Sequence, residues 1–565
     1  MLARRASEGS RVPSLASSLP ATLYCLGEAK SYKLRLLFLP REAWLRTERQ
    51  TRETLRARSR QQGQLGNGRF CHGSMAGHAA LDRPEILEVA VRFQGFPWRT
   101  VMTTTVASFG EAHFGQAGLG HKRRTKCLVR IADRIYRHPG GTLPAKLHDP
   151  KDYKAMDRLM NRPDVTHAAV LESHRQRTLA QLRQAKGVRL VLHDTTELDY
   201  SGLRSITDLG PIGGGLNRGY LCHNSLAFDP ERHEVIGLVN QILHRRRHVG
   251  RKEGVKAKRE RADRESVLWT AGLAAVGPAP AGVDWVHVAD RGADTFEFLA
   301  RHLEEGHSFV VRSNRSRVIR QGHNLQGPKD NLHAYARAQP LRGRHEVVVS
   351  ARPGQSERKA TVAVAFAAVL LWPPHVRRGH YVKRPLPLWV VRVCEVDPPK
   401  GVKPLEWILL TNRKVATLED AWQRAAWYEC RWVIEEYHKA QKTGCAIEDM
   451  QFTSSQALEP MIALLSVVAV TLLNLREASR RPDAETRPAT ELVDARYVAV
   501  LSAWRYKKLR PDLSVHDFFY ALARLGGHQN RKRDRRPGWL ILWRGWMALQ
   551  HMLDGAEAIG FKSCG

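Results

Sequence analysis

The sequence predicts a mixed α/β fold with helical segments on either side, and three observations carry that expectation. Two short apolar runs each end in an aspartate, Gly187-Val-Arg-Leu-Val-Leu-His193-Asp194 and Trp285-Val-His-Val-Ala-Asp290. A central strand delivers a carboxylate to the edge of a sheet in this way. Between about residues 313 and 405 apolar residues alternate, as in His345-Glu-Val-Val-Val-Ser and Leu388-Trp-Val-Val-Arg-Val, and period two is the pattern of strands. Before residue 186 and from Thr417 onward they recur instead at helical spacing.

Length and charge narrow the partners. At 565 residues the chain has room for about two to four domains. Lys and Arg number 90 against 56 Asp and Glu, a net charge of +34 and a pI near 10.3. Such a surplus attracts a polyanion, and nucleic acid is the usual one. An anionic membrane is the competing partner. The longest apolar stretch, Met461–Leu475, is 15 residues long and broken by polar ones. That is short of the ~20 a spanning helix needs, so it reads as a buried helix and argues against a membrane. Eight cysteines (25, 71, 127, 222, 394, 430, 445 and 564) are scattered with no CxxC pair, which speaks against a zinc ribbon or a disulfide scaffold. Reduced thiols in a cytoplasmic protein are the simplest account.

Residues 1–101 carry no sustained core pattern. The opening Met1-Leu-Ala-Arg-Arg-Ala-Ser, with no acid before Glu8, has the texture of an organellar transit peptide. An extension upstream of a start at Met75 or Met102 is the duller reading, and the favoured one. From Phe109 the texture changes. The basic cluster Lys122-Arg123-Arg124-Thr-Lys126 opens a helix with apolar residues at 128, 131, 132 and 135, and helical patterns follow over 154–161 and 166–186. A small helical domain, 102–185, with this basic entrance suits the reading of a DNA end. An ordinary basic surface helix is the alternative.

Past Asp194, Thr195 and Thr196 are expected to hydrogen-bond locally and fix a turn. Residues 220–228 and 234–240 read as two strands of an antiparallel meander joined at Asp229-Pro230. The run 244–264 is strongly basic, either a phosphate-tracking surface or a solvated loop. Asp290 is followed by a helix from Thr295 and a strand ending at Arg312, and Trp407-Ile-Leu-Leu-Thr411 is a further strand. Beyond Gly444 helices dominate, and the stripe within 539–553 is core or a partner surface.

Chemistry concentrates in Tyr428-Glu-Cys-Arg431-Trp-Val-Ile-Glu435-Glu-Tyr-His-Lys-Ala-Gln-Lys442-Thr-Gly444. Free of Pro and Gly until Gly444, it reads as a helix on which Tyr428, Arg431, Glu435 and Lys442 share an arc about 60° wide at ~100° per residue. A carboxylate between two cations and a phenol suits metal-assisted phosphoryl transfer. Glu435 would hold a divalent cation while Arg431 and Lys442 bind phosphates. A solvated face with an i,i+4 ion pair worth ~0.2–0.5 kcal/mol is the bland alternative. With Asp194 and Asp290, Glu435 completes three carboxylates, and two-metal phosphoryl transfer needs such groups converging on cations roughly 3.5–4 Å apart.

These blocks resemble the DDE transposases of the insertion-sequence-four family, in the cut-and-paste type represented by transposon five. The resemblance rests on His193-Asp194-Thr-Thr, on Asp290-Arg291-Gly-Ala-Asp294, and on Tyr428, Arg431, Glu435 and Lys442 at the Y-(2)-R-(3)-E-(6)-K spacing. It extends over about residues 104–560. It implies a ribonuclease-H-like catalytic core (186–480) interrupted by a β-rich insertion at about 313–405, and a helical C-terminal region (481–565) that dimerises. Asp194, Asp290 and Glu435 would be the catalytic, metal-holding acids for two Mg²⁺, with Mn²⁺ as a substitute. Arg123, Arg124, Arg312, Tyr428, Arg431 and Lys442 would contact DNA, and Trp407 would stack on a flipped base. Trp432 is either another wedge or a core residue. The resemblance further implies a homodimer pairing transposon ends and inserting them into target DNA, in the bacterial cytoplasm at the nucleoid. The second block has Gly292 where the transposon-five type carries a glutamate, and 341–379 does not align. A non-transposing nuclease or recombinase on the same core, or a silent DNA-binding inhibitor, remain the rival readings.

Overall fold

The computed structural model describes residues 107–562 except 185, 248–253, 255–260, 262, 280, 350–356, 375–383, 482, 532, 533 and 535. The readings of 1–101 and of most of the basic run 244–264 lie outside the described residues. Five helices come first: α1 (Phe109–Phe114), α2 (Lys122–Arg137), α3 (Leu143–Leu147), α4 (Pro150–Met160) and α5 (His167–Arg183). α2 buries Leu128, Ile131, Ala132 and Ile135, the residues whose 3.6-fold spacing forms its apolar stripe. Asp149 and Thr166 cap α4 and α5 by accepting backbone N–H bonds.

A mixed sheet of twelve strands follows. In chain order these are β1 (Val188–Asp199), β2 (Gly210–Pro211), β3 (Arg218–Asp229) and β4 (Glu234–His244), then helix α6 (Val267–Val276) and β5 (Asp284–Ala289). Next come α7 (Phe296–Glu304), β6 (Ser308–Arg312), β7 (Val318–Gln321), β8 (Lys329–Asn331), α8 (Leu332–Ala338), β9 (Arg342–Val349), β10 (Arg358–Leu371), β11 (Leu386–Val396) and β12 (Glu406–Thr411). The spatial order runs β4-β3-β1-β5-β6-β12-β11-β10, with β7 and β9 both on β10. β1, β5 and β6 are parallel neighbours, while β3 and β4 run antiparallel beside β1.

One detail departs from the sequence reading. β1 does not turn at Thr195 and Thr196. Its pairing with β3 continues to Asp199↔Gly219, and only the parallel pairing with β5 stops, at His193↔Ala289. The strands within 313–405 add to the same sheet, because β12 pairs with β6 on one side and β11 on the other. Helix α8 and the short strands β7 and β8 are too brief to show a period in the sequence.

Alternation places the two faces of this sheet in different cores. Leu409 joins one apolar cluster, and Ile408 and Leu410 join another. The C-terminal helices are α9 (Leu418–Glu429), α10 (Trp432–Lys439), α11 (Ser455–Ala478), α12 (Ala495–Tyr506), α13 (Val515–Leu525) and α14 (Trp539–Lys562). α11 is long and apolar enough to cross a membrane, yet 78% of its most apolar window is buried inside the protein, against α5 and β4. Leu542, Trp546, Leu549 and Leu553 of α14 are buried too. α13 and α14 approach closely at Gly526 and Gly545, where a Cβ would collide with the Ile541 or Leu522 carbonyl.

Candidate active site

The site lies where β1 and β5 stop pairing, and each strand delivers an acid there. Asp194 follows the last residue of β1 paired with β5, and its Oδ1 accepts the Thr195 N–H at 2.8 Å. Asp290 follows β5 and caps a short 3₁₀ turn, its Oδ1 accepting the Gly292 N–H at 2.7 Å. Glu435 comes from across the chain on α10. α9 begins with a capping box between Thr417 and Asp420, and Cys430 and Arg431 form a break between α9 and α10 while keeping helical dihedrals. After α10 the chain widens into a π turn, Ala440–Gly444, and ends at Gly444 as the sequence suggests. π turns inside helices recur at functional sites.

Arg431 ties two of the acids together. Its guanidinium lies 3.5 Å from Asp194 and 2.5 Å from Glu435, with side-chain exposure of 13%, 17% and 27% respectively. Burial, and then the Asp290 charge, raise the Asp194 carboxyl to about 7 against the pull of Arg431 and the Thr195 N–H. Burial opposes the Arg431 charge in turn, but Tyr428, Asp194 and Glu435 outweigh it and hold its pKa above the ordinary value.

α10 is pinned from beneath. His438 lies 3.1 Å from Asn224 of β3, the residue registered opposite Asp194. The Tyr437 hydroxyl donates to the Ser466 carbonyl on α11 at 3.2 Å. Lys442 bonds the Glu197 carbonyl of β1 and pairs with Glu448 at 2.9 Å, and Glu448 also accepts the Asp199 N–H at 2.9 Å. Below the acids lies a buried set of histidines: His193 Nε2 is 2.8 Å from His287 Nδ1, and Thr195 Oγ1 is 2.9 Å from His223 Nδ1. Burial pushes His223 and His438 down to about 3, so these rings are neutral spacers. Neither Glu448 nor this histidine layer stood out in the sequence. Their partners are distant in the chain, and no local period marks them.

The other expected contacts separate into two groups. Trp407 on β12 packs edge-on against Tyr428 with ring centroids 5.1 Å apart. Tyr428 itself is buried, with Arg431 over its ring at 5.8 Å. Arg312 sits opposite Leu409 in the neighbouring strand and donates to the Glu406 carbonyl at 2.9 Å. Trp432 is 48% exposed, a surface residue with Lys439 over its ring at 5.2 Å. Arg123 and Arg124 lie elsewhere, at the start of α2. Arg123 is exposed, whereas Arg124 is turned to Asp164 and to the Leu119 carbonyl. Further along α2, Lys126, Arg130, Asp133, Arg134 and Arg137 share one open face of the helix.

Asp194, Asp290 and Glu435 offer oxygen donors alone, the donor set that suits hard divalent cations such as Mg²⁺ and Mn²⁺. All three are only partly exposed, and two of them share a single Arg431 cation, which leaves excess negative charge for a metal to neutralise. Residues 107–165 match the family described as transposase DNA-binding. The match covers α1 to α4, including the basic helix α2, and supports a transposase whose partner is DNA.

Proposed function

We propose that the chain is a cut-and-paste DNA transposase that uses Asp194, Asp290 and Glu435 for metal-assisted phosphoryl transfer. The observation that carries this reading is the Arg431 bridge between Asp194 and Glu435 at the open end of the β1–β5 pair, with Asp290 near enough for its charge to raise Asp194, joined to a match for transposase DNA-binding over 107–165. The strand order β4-β3-β1-β5-β6, with β1, β5 and β6 parallel, supports a ribonuclease-H-like core, and the Tyr428-Arg431-Glu435-Lys442 spacing supports the insertion-sequence-four family.

The three acids would hold two divalent cations, whose chemistry when bound is to activate the attacking oxygen and stabilise the leaving one. The chain's own groups do the rest. Arg431 keeps a buried Nε donor with no partner in the protein, a bond it can give to a phosphate oxygen. Lys442, held on β1 through Glu197 and Glu448, fixes the far end of the same helical segment. Water first attacks the phosphorus at the transposon end and a 3′-hydroxyl leaves. That hydroxyl then attacks the opposite strand to close a hairpin, which is reopened before strand transfer into target DNA. Trp407, edge-on to Tyr428 at the rim, would stack on a base flipped out during hairpin closure, returning ~1–3 kcal/mol of the unstacking cost. Two subunits would pair two ends.

A Mg²⁺-dependent cleavage assay on labelled duplexes from the DNA flanking the reading frame tests this. Wild type should nick at a defined end and yield a hairpin. Glu435→Gln should bind the same DNA and cut it at least about a thousandfold more slowly. Trp407→Ala should nick normally but close hairpins slowly, and equal loss of both steps would remove base stacking from the account. Cutting without end preference would favour the nuclease reading, and end binding without cutting would favour an inhibitor.

A further inference from the structure

We propose that the end of α2 and the C-terminal helix α14 share a structural zinc site built from His138, His551 and Asp554. One ligand atom from each of the three lies within 4.8 Å of the others. His138 is the C-cap of α2 and is 6% exposed. His551 and Asp554 are three residues apart on α14, a spacing that puts both on one helix face.

The geometry between them suits a shared cation. His138 Nε2 lies 3.0 Å from Asp554 Oδ2, close to the ~3.3 Å edge of a tetrahedron with bonds of ~2.0 Å. The other ring nitrogen, Nδ1, is buried with no hydrogen-bond partner in the protein, so without a metal only Asp554 holds the ring, through a proton on Nε2 that a cation would replace. The His148 ring lies 4.3 Å from that of His138 and is exposed, leaving the fourth position open to it or to water. Two imidazoles and a carboxylate form the donor set of zinc, not of Mg²⁺ or Ca²⁺. The three acids of the proposed active site have the opposite preference, so the two sites would sort their metals by ligand chemistry.

The joint matters because of what it connects. α2 lies within the region matched to transposase DNA-binding, and α14 closes the described chain. Protein contacts already bring them together: Tyr136 and Trp546 lie 6.3 Å apart by ring centroid, and Glu557 of α14 pairs with Arg496 at 2.7 Å and approaches Arg137 at 3.9 Å. A zinc ion on His138, His551 and Asp554 would fasten the C-terminal helix to the end of the basic helix.

Cobalt provides the test, since a tetrahedral N/O site gives intense visible bands and an octahedral all-oxygen site gives weak ones. Metal-stripped full-length chain should take up one Co²⁺ with tetrahedral bands, release it to Zn²⁺, and melt at a higher temperature with Zn²⁺ than without. His551→Ala and Asp554→Ala remove exposed or half-exposed side chains, so both variants should fold, and each should weaken the Co²⁺ site by more than about tenfold. Glu435→Gln should leave the bands unchanged. Absence of the bands in wild type, or bands that survive both α14 substitutions, would overturn the assignment.

Discussion

The cations around the acids and the cations along α2 belong to the same basic chain but face different partners. Arg431 and Lys442 have side-chain exposures of 13% and 32%, and each is bound to carboxylates of the protein. Lys122, Arg123 and Lys126 are exposed at the start of α2, and Arg130 and Arg134, about half exposed, share only Asp152. A cation held in a partly buried network keeps one position and interacts strongly, because the local dielectric is low. Exposed cations are mobile, screened by salt, and individually weak. The first arrangement suits aiming charge at one phosphorus atom; the second suits tracking a phosphate backbone of any sequence.

Substitution of Arg431 should break the first arrangement most severely. Arg431→Ala leaves Asp194 and Glu435 without their shared partner, and should slow strand cleavage by ~10²–10³ while lowering stability by ~1–3 kcal/mol. Thermal unfolding and single-turnover cleavage, measured together, check both halves. Full stability with lost cleavage would mean that the acids do not depend on this cation for folding.

A smaller effect should appear in the pH dependence of stability. With the Asp194 carboxyl raised to about 7, the folded chain between pH ~4 and ~7 holds a proton that the unfolded chain has released. Stability should therefore fall as pH rises through that window, and the full cost is present above it. Asp194→Asn removes the cost, so the variant should gain on wild type by on the order of 2–4 kcal/mol at pH 8 and nothing at pH 4. Metal-free denaturant titrations at the two pH values decide the matter, and a gain independent of pH would assign it to packing.

The gentlest test falls on α2. Lys122→Gln, Arg123→Gln and Lys126→Gln should each reduce the salt dependence of DNA binding by about one unit of slope, with stability unchanged within ~0.5 kcal/mol. Arg124→Gln should instead cost some stability, since its guanidinium is committed to Asp164 and Leu119. If all four behaved alike, the distinction between mobile and committed cations on this helix would fail.

Much of this was legible in the sequence, because it depends on local period. The apolar residues at 128, 131, 132 and 135 give α2, Thr417 and Asp420 give the start of α9, and Gly444 stops the helical segment that carries Glu435. The two apolar runs ending in acids give β1 and β5. What a period does not contain is the pairing. Nothing local says that β1 runs on past Asp194 along β3 while leaving β5, or that 313–405 prolongs the same sheet through β12.

The sequence by itself determined where the longer elements form, which residue types stand at their ends, and that the chain attracts a polyanion, since each follows from spacing, capping chemistry and net charge. Tertiary structure alone decided which side chains meet. Arg431 lies between Asp194 and Glu435, Lys442 reaches back to Glu197 and Glu448, and His138 meets Asp554 across more than four hundred residues. Such contacts arise from packing between elements far apart in the chain, where burial and the satisfaction of polar groups select one arrangement that no local pattern encodes.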